Sequence, residues 1–556
     1  MSQAKSYRRV LRHLTTAFAA ILVFLALIVP NQIFRLPPGN SVSTALLRIP
    51  VEALVAGALL LLLPERGRLG RARRPIAAGL GVLLGVLTVV KFVDIGFFAV
   101  LARRFDPVLD WALFDDGFNF MSDSLGRPAA IGIAVGALAL AAALIAGMTW
   151  AVLRLSGILI AHRAWAWRGL GTVGVAWAAL AAIGFQLIGG IPVASHTAAD
   201  LAAHTALALP NDLRDRKQFA QEVTVDAYRD RPGDQMLTAL KDKDVIISFV
   251  ESYGRDALEN PEFNGAVQQT LATNGDKLAK AGFASRSGWL TSSTAGGGSW
   301  LAHATFLSGL WIDNEQRYRS LVATDRLTLT SAFGKAGHRT VGVQPGITFA
   351  WPEGRFYGYD HIYDAHMLGY HGPAFSWSTM PDQFVMSAFQ KLEYAKKDRG
   401  SLLAEITLTS SHTPWAPVPT MLDWEALGDG SVYGPMEAAA ESPQTVWKDD
   451  KKIRNEYGRS VAYSIDSLLS YVEKYADDDL VMVFLGDHQP APVVVGQNAT
   501  RDVPITIVAK DPKVFERIAP WGWTAGLKPA TDAPNWRMDT FRDRFFAAYG
   551  PEGDPH

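Results

Sequence analysis

Ser299 follows three glycines and opens an apolar helical pattern, in Thr294-Ala-Gly-Gly-Gly-Ser299-Trp-Leu-Ala-His-Ala-Thr-Phe-Leu-Ser-Gly-Leu310. A serine so placed stands at a helix N-terminus, where backbone N–H groups and the helix dipole favour negative charge. That position suits a nucleophile attacking a phosphate-like centre. The same turn also starts an ordinary Ser-capped helix, so the chemistry needs partners. Three other stretches offer them: Glu251 after Asp244-Val-Ile-Ile-Ser-Phe-Val250, His412 in Thr409-Ser-Ser-His412-Thr-Pro-Trp415, and Asp487-His488 after Leu480-Val-Met-Val-Phe-Leu485-Gly486. Taken singly, Glu251 reads as a helix cap or surface carboxylate and His412 as a loop histidine. Asp487-His488 directly after an apolar run is costly to desolvate without a partner.

Together, two carboxylates, one imidazole and a serine oxygen form a mixed O/N donor set suited to Mn²⁺ or Zn²⁺. Such a metal holds a serine as its alkoxide and neutralises a developing oxyanion. His412 lies outside that set. It is placed to donate a hydrogen bond to a non-bridging oxygen or to protonate a leaving alcohol.

The elements that must position these residues alternate short apolar runs with amphipathic helices, the pattern of an α/β domain with a mostly parallel central sheet. Strands are expected at Asp244–Val250, Ala284–Leu290, Arg339–Val343, Ser401–Leu408, Leu480–Leu485 and Val503–Val508. Helices are expected at Gln268–Ala281, Ser299–Leu310, Leu327–Ala336, Asp382–Lys396, Asp450–Ala476 and Asn535–Tyr549. In open α/β sheets sites gather at the carboxyl ends of strands, where Glu251 and Asp487-His488 should meet near Ser299.

This domain occupies only part of the chain. At 556 residues, 49% apolar and 19% charged, the sequence averages two unlike halves. Residues 1–195 are dominated by Leu, Ala, Val and Gly, residues 196–240 read as a polar juxtamembrane linker, and residues 241–556 read as a soluble catalytic domain. A formal net charge of −1 argues against nucleic acid as a partner, which calls for a basic face. The absence of cysteine removes disulfides, thiolate metal sites and cysteine nucleophiles.

Five runs in the first half approach the roughly 20 residues needed to cross a bilayer: Leu14–Phe34, Ala45–Leu63, Ile76–Val100, Ala129–Leu153 and Gly169–Ile191. They predict a five-helix transmembrane bundle. Pro30–Arg35 reads as an interfacial exit rather than a cleavage site. Basic residues crowd the N-terminus (Lys5, Arg8, Arg9, Arg12), the second loop (Arg66, Arg68, Arg71, Arg73, Arg74) and the fourth (Arg154, Arg163, Arg168). The N-terminus is therefore expected in the cytoplasm and the catalytic domain outside, periplasmic or extracellular. Lys91 and Asp94, three residues apart in the third run, read either as a snorkelling ion pair or as a lipid-headgroup site.

The order Glu-Ser after the first strand, Gly-rich turn with a hydroxyl, Ser-His-x-Pro and Gly-Asp-His resembles the alkaline phosphatase/sulfatase superfamily. With five spans ahead of it, the chain is similar to that superfamily's lipoteichoic acid synthase and phosphoglycerol transferase branch. The resemblance implies that Glu251, Ser299, Asp487 and His488 bind one metal, Mn²⁺ in the lipoteichoic acid synthases. It implies that Ser299 is phosphoglycerylated by phosphatidylglycerol and that His412 contacts substrate. The branch also uses a Trp and an Arg near the glycerol phosphate, for which Trp351 and Arg355 are the nearest matches. The usual nucleophile there is Thr, and Ser293 and Thr294 stand near Ser299 as rivals. No Cys or Ser stands in the C/S-x-P-x-R pattern of true sulfatases, which disfavours sulfate-ester hydrolysis by that route. Phosphoethanolamine transferases of this fold usually carry disulfides, which this chain lacks.

The expected function is a metal-dependent, inner-membrane-anchored transferase. It moves a headgroup phosphodiester, phosphoglycerol first, from an anionic phospholipid onto Ser299 and then to an envelope glycan or lipid. The alternatives are a phosphoethanolamine transferase, a phosphodiester or sulfatase-like hydrolase of the same fold, and a catalytically dead sensor, which candidates at all four metal positions argue against.

Overall fold

The computed structural model describes residues 2–29, 48–64, 67–107, 109–188, 191–375 and 377–551. The chain divides into two compact units, Met1–Ala99 with Arg103–Leu213 and Val100–Ala102 with Arg214–His556.

The first unit is helical: α1 (Ser2–Ile28), α2 (Val51–Leu62), α3 (Gly67–Leu101), α4 (Ala112–Leu125), α5 (Arg127–Ala161) and α6 (Arg163–Ala182), followed by α7 (Thr197–Glu222) across the unit boundary. Among the described residues three stretches are long and apolar enough to cross a membrane: Arg9–Ile28, Gly70–Leu101 and Arg127–Ala161. At the second and fifth expected spans stand α2, apolar but 12 residues long, and α6, 20 residues carrying Arg163 and Arg168. The expected exit at Pro30–Arg35 and residues 45–47 of the second span lie outside the described residues. Helix α3 meets α5 at Gly81 and Gly85, where an added Cβ would come within 2.6 Å of the Cα of Thr149 and of Ile145. Small residues one turn apart let two apolar helices approach this closely. Lys91 donates from Nζ to the carbonyls of Ala26 (2.6 Å) and Val29 (3.2 Å), satisfying the C-terminal end of α1. Asp94 accepts the N–H of Phe105 at 2.9 Å.

The second unit is built on one nine-stranded sheet. Its strands are β1 (Asp244–Val250), β2 (Ala284–Thr291), β3 (Arg339–Gln344), β4 (His361–Asp364), β5 (Leu402–Leu408), β6 (Leu480–Gly486), β7 (Asp502–Ala509), β8 (Thr524–Ala525) and β9 (Asn535–Arg537). They lie in the order β8-β2-β7-β6-β1-β5-β3-β4, with β9 alongside β2. The run β6-β1-β5-β3-β4 is parallel throughout, and β7 inserts antiparallel between β6 and β2. The expected mostly parallel sheet is thus present, with β7 and the short edge strand β8 reversed.

Strand β1 is buried on both faces, Ile246 and Val250 in one core cluster and Val245, Ile247 and Phe249 in the other. This is why it reads as a continuous apolar run rather than an alternating one. One cluster takes in α8 (Gly265–Lys280), α10 (Asp382–Phe389) and α11 (Asp450–Tyr475); the other takes in α9 (Ser299–Ser308) and α12 (Phe541–Tyr549). The expected closing helix over Asn535–Tyr549 is corrected at its start. Asn535–Arg537 pairs in parallel with Trp289–Thr291, a 3₁₀ turn covers Met538–Thr540, and the helix begins at Phe541. Trp536 packs against Trp521 and Trp523, so tertiary pairing overrides the local helical pattern. The expected helix Asp382–Lys396 is α-helical to Phe389 and then widens into a π-helical turn over Gln390–Tyr394.

Candidate metal centre and active site

The register of the sheet assembles the site. Val250 is paired with Gly486 on one side and with Leu408 on the other. The next residues, Glu251, Asp487 and Thr409, therefore leave the sheet side by side at its carboxyl edge. The turn from β2 brings Ser299 to the same edge. Gly296 (φ +75°) and Gly298 (φ +79°) take left-handed conformations that side chains disfavour, so the turn closes sharply and starts α9 at Ser299.

The Ser299 hydroxyl donates to Glu251 Oε2 at 2.8 Å and lies 3.2 Å from His488 Nε2. His488 Nε2 is 3.4 Å from Glu251 Oε1 and 3.7 Å from Asp487 Oδ2. Ligand atoms of Glu251, Asp487 and His488 all lie within 4.8 Å of one another, and all three residues are buried. Their orientation is set from behind. Asp487 Oδ1 accepts the N–H groups of Ser252 (2.8 Å) and His488 (2.7 Å), and Ser252 Oγ donates to Glu251 Oε1 at 2.8 Å. His488 Nδ1 donates to the Gln489 carbonyl at 2.8 Å, which leaves the lone pair on Nε2, facing the cluster. Of the three candidate nucleophiles Ser293, Thr294 and Ser299, Ser299 is the one whose hydroxyl is bonded to these ligands. Ser293 Oγ accepts from Thr305 Oγ1, and Thr294 Oγ1 is buried without a hydrogen-bond partner.

A divalent cation fits this donor set. Asp487 Oδ2 is buried and accepts no hydrogen bond, so it faces the cluster with its charge uncompensated. Burial first, and then the charge of Glu251, raise the Asp487 carboxyl well above the usual range. Burial acts the same way on Glu251, but attraction to the His488 imidazole and the hydrogen bond from Ser299 outweigh it and hold that carboxyl low. Two buried carboxyls whose charges oppose each other, an imidazole lone pair and a hydroxyl oxygen are what a +2 ion neutralises and ligates.

His412 stands on the neighbouring strand end. Ser411 Oγ donates to the Glu251 carbonyl at 2.6 Å, and Asp382, at the start of α10, accepts the N–H groups of Thr409 (2.8 Å) and Ser410 (3.0 Å). His412 Nδ1 donates to the Thr413 carbonyl at 2.6 Å, and Trp377 stacks on its ring. Burial lowers the pKa of His412 against the opposing charge of Glu251, so the ring is neutral with Nε2 as its basic atom.

The structure brings Glu251, Ser299, Asp487 and His488 together, with His412 beside them. Trp351 and Arg355 stand around the 3₁₀ segment Pro352–Tyr357 after β3. The Trp351 ring packs on Tyr357 (centroids 5.6 Å apart), and Arg355 is exposed. Three residues at the site escape a reading of the sequence: Trp377, Asp382 and His303. His303 lies four residues after Ser299 on α9, stacked on Phe249 with centroids 3.8 Å apart. Burial pushes it down to about 3, so it stays neutral. Its spacing from Ser299 is the available signal, because residues i and i+4 share a helix face.

No protein-family model matches the chain, and no curated protein matches it in sequence. Solved structures are similar in fold. The lipoteichoic acid synthase LtaP of Listeria monocytogenes is 17% identical over 58% of this chain and 75% of its own, with a TM-score of 0.37. The C-terminal periplasmic domain of EcEptC from Escherichia coli, in complex with Zn, is 12% identical over 56% of this chain and 84% of its own, with a TM-score of 0.37. The phosphoglycerol transferase GacH of Streptococcus pyogenes, in complex with sn-glycerol-1-phosphate, is 16% identical over 52% and 74%, with a TM-score of 0.33.

Proposed function

We propose that this chain is a metal-dependent, membrane-anchored transferase. It takes a phospholipid headgroup phosphodiester, phosphoglycerol first, onto Ser299 and passes it to an envelope glycan or lipid hydroxyl. The observation that carries this reading is the Ser299 hydroxyl, held at a helix N-terminus 2.8 Å from Glu251 and 3.2 Å from His488 within a buried carboxylate–imidazole cluster. Five spans, an N-terminus in the cytoplasm and a catalytic domain outside the inner membrane complete the proposal, because a lipid donor is met at the bilayer surface.

Mn²⁺ or Zn²⁺ bound by Glu251, Ser299, Asp487 and His488 would supply Lewis-acid charge that stabilises an anionic serine oxygen and the charge developing at phosphorus. In the first half-reaction Ser299 Oγ forms a bond to phosphorus as the bond from phosphorus to the diacylglycerol oxygen breaks. The proton of Ser299 Oγ, held against Glu251 Oε2 in the resting site, is taken up by the basic Nε2 of neutral His412 and passed to the leaving alcohol. In the second half-reaction the acceptor hydroxyl gives its proton to His412 Nε2 and bonds to phosphorus, the bond to Ser299 Oγ breaks, and Ser299 Oγ takes that proton, restoring the hydroxyl and the neutral ring. The Nδ1 hydrogen bond to Thr413 keeps Nε2 as the atom that cycles. The N–H groups at the start of α9 face the phosphoryl oxygens.

The test is to incubate the purified full chain with Mn²⁺ or Zn²⁺ and headgroup-labelled phosphatidylglycerol or phosphatidylethanolamine, then map the label. Label on Ser299 is expected, from phosphatidylglycerol first. Label from neither lipid, with turnover of a soluble phosphodiester, would favour a hydrolase.

A further inference from the structure

The buried interior of α9 carries one group that this reaction scheme leaves unused. His303 lies one helical turn from Ser299, and its ring lies flat on Phe249, 17° from parallel. Phe249 belongs to β1, two residues before Glu251, so strand and helix together fix the plane of the imidazole. Its Nε2 lies 3.9 Å from Asp487 Oδ2. Both atoms are buried and neither has a hydrogen-bond partner. A buried polar atom left without a hydrogen-bond partner is costly, so closing the gap between these two is favourable.

The other oxygen of Asp487 is already saturated by the N–H groups of Ser252 and His488. The carboxylate is thus pinned at Oδ1, while Oδ2 has two imidazole neighbours, His488 Nε2 at 3.7 Å among the proposed ligands and His303 Nε2 at 3.9 Å outside them. We propose that His303 is a positioning residue for the metal centre, its Nε2–H orienting Asp487 Oδ2 so that this oxygen is presented as a ligand. The inference rests on the reading of Glu251, Ser299, Asp487 and His488 as a metal site. A partner of this kind fixes the ligand in its binding orientation before metal arrives, and loss of such a partner typically weakens metal affinity about 10–100-fold.

The test is direct titration of Mn²⁺ and Zn²⁺ into the metal-stripped, detergent-solubilised full chain, followed by calorimetry and chelator competition. His303→Phe keeps the stack on Phe249 and removes the donor; His303→Gln places an N–H near the position of Nε2. His303→Phe is expected to bind about 10–100-fold more weakly, and His303→Gln within about threefold of the wild type, on the same scale. Both variants should melt at the wild-type temperature in chelator. Should His303→Phe fail to fold, His303→Leu carries the same comparison. Wild-type affinity in His303→Phe, or affinity in His303→Gln as weak as in His303→Phe, would overturn the positioning role while leaving the metal site standing. A wild-type chain that binds neither ion would overturn both.

Discussion

Trp377 lies flat on His412, with ring centroids 3.7 Å apart and planes 21° from parallel. The indole has room because residue 346 is glycine: an added Cβ there would sit 3.1 Å from the tip of the Trp377 ring. With Nδ1 tied to the Thr413 carbonyl, the imidazole of His412 is held both in its plane and against rotation. Aromatic stacking of this kind is worth about 0.5–1.5 kcal/mol beyond the area it buries. Trp377→Ala should therefore lower kcat/KM for headgroup transfer by roughly 2–10-fold, and Trp377→Phe by less. Gly346→Val, which crowds the indole, should behave like Trp377→Ala. Unchanged kinetics in Trp377→Ala would show that the stack does not set the position of His412.

Ser299→Ala should abolish turnover and labelling. Loss of a covalent nucleophile costs about 10⁶ in kcat in a well-studied serine enzyme, and a loss of at least about 1,000-fold is expected here. The substitution removes a single oxygen at the start of α9, and Glu251, Asp487 and His488 keep their other contacts, so melting temperature and most metal binding should persist. Thr294→Ala should retain activity, because Thr294 Oγ1 makes no hydrogen bond to the ligand cluster. The reverse pattern, activity kept in Ser299→Ala and lost in Thr294→Ala, would move the nucleophile.

Much of this arrangement is legible in the sequence alone. Strand β1 matches its expected bounds, and β5, β6 and β7 lie within a residue or so of theirs, because strands buried on both faces are largely apolar runs bounded by polar residues. At the carboxyl ends of β1, β5 and β6 these are Glu251, Thr409 and Asp487. His303 is hidden for the opposite reason. It sits inside an apolar helix, and its relation to Asp487 depends on how α9 lies against β1. Trp377 lies in an irregular segment with no periodicity to read. Strand β9 reads as helix because its partner, β2, is some 250 residues earlier in the chain, and such pairing leaves no local mark.

Glu405 should make stability fall as pH rises. It is fully enclosed between β3 and β5, where Gln344 and Thr407 bond to it and Tyr359 donates to Oε2 at 2.9 Å. Burial, partly offset by those hydrogen bonds, pushes its carboxyl up to about 7. In the unfolded chain a glutamate titrates near about 4.3. The folded state therefore binds the extra proton between these values, and the favourable contribution present below about pH 4.3 is lost as pH rises toward 7. The full effect is of order 3 kcal/mol, since a tenfold change in proton affinity is worth about 1.4 kcal/mol. Glu405→Gln mimics the protonated form, so its melting temperature should exceed that of the wild type by a few degrees at about pH 8 and converge with it near about pH 4.5. A constant difference across that window would show that Glu405 is not the titrating group.

Metal removal should destabilise as well as inactivate. The cluster of Glu251, Asp487 and His488 places two carboxyls in one buried site, so the folded chain carries a repulsion that a divalent ion relieves. Binding to the native state alone stabilises by about 2.7 kcal/mol when free metal is at about 100 times Kd. Adding Mn²⁺ or Zn²⁺ to stripped wild type should raise the melting temperature by several degrees, and chelator should reverse it. Asp487→Asn keeps the volume and the acceptor at Oδ1 but loses the charge at Oδ2, so its melting temperature should respond little to metal or chelator. In metal-free solution at about pH 8 the same variant should melt above stripped wild type, because one of two opposing charges is gone. A metal-dependent shift of wild-type size in Asp487→Asn would place the ion somewhere other than at the carboxyl ends of β1 and β6.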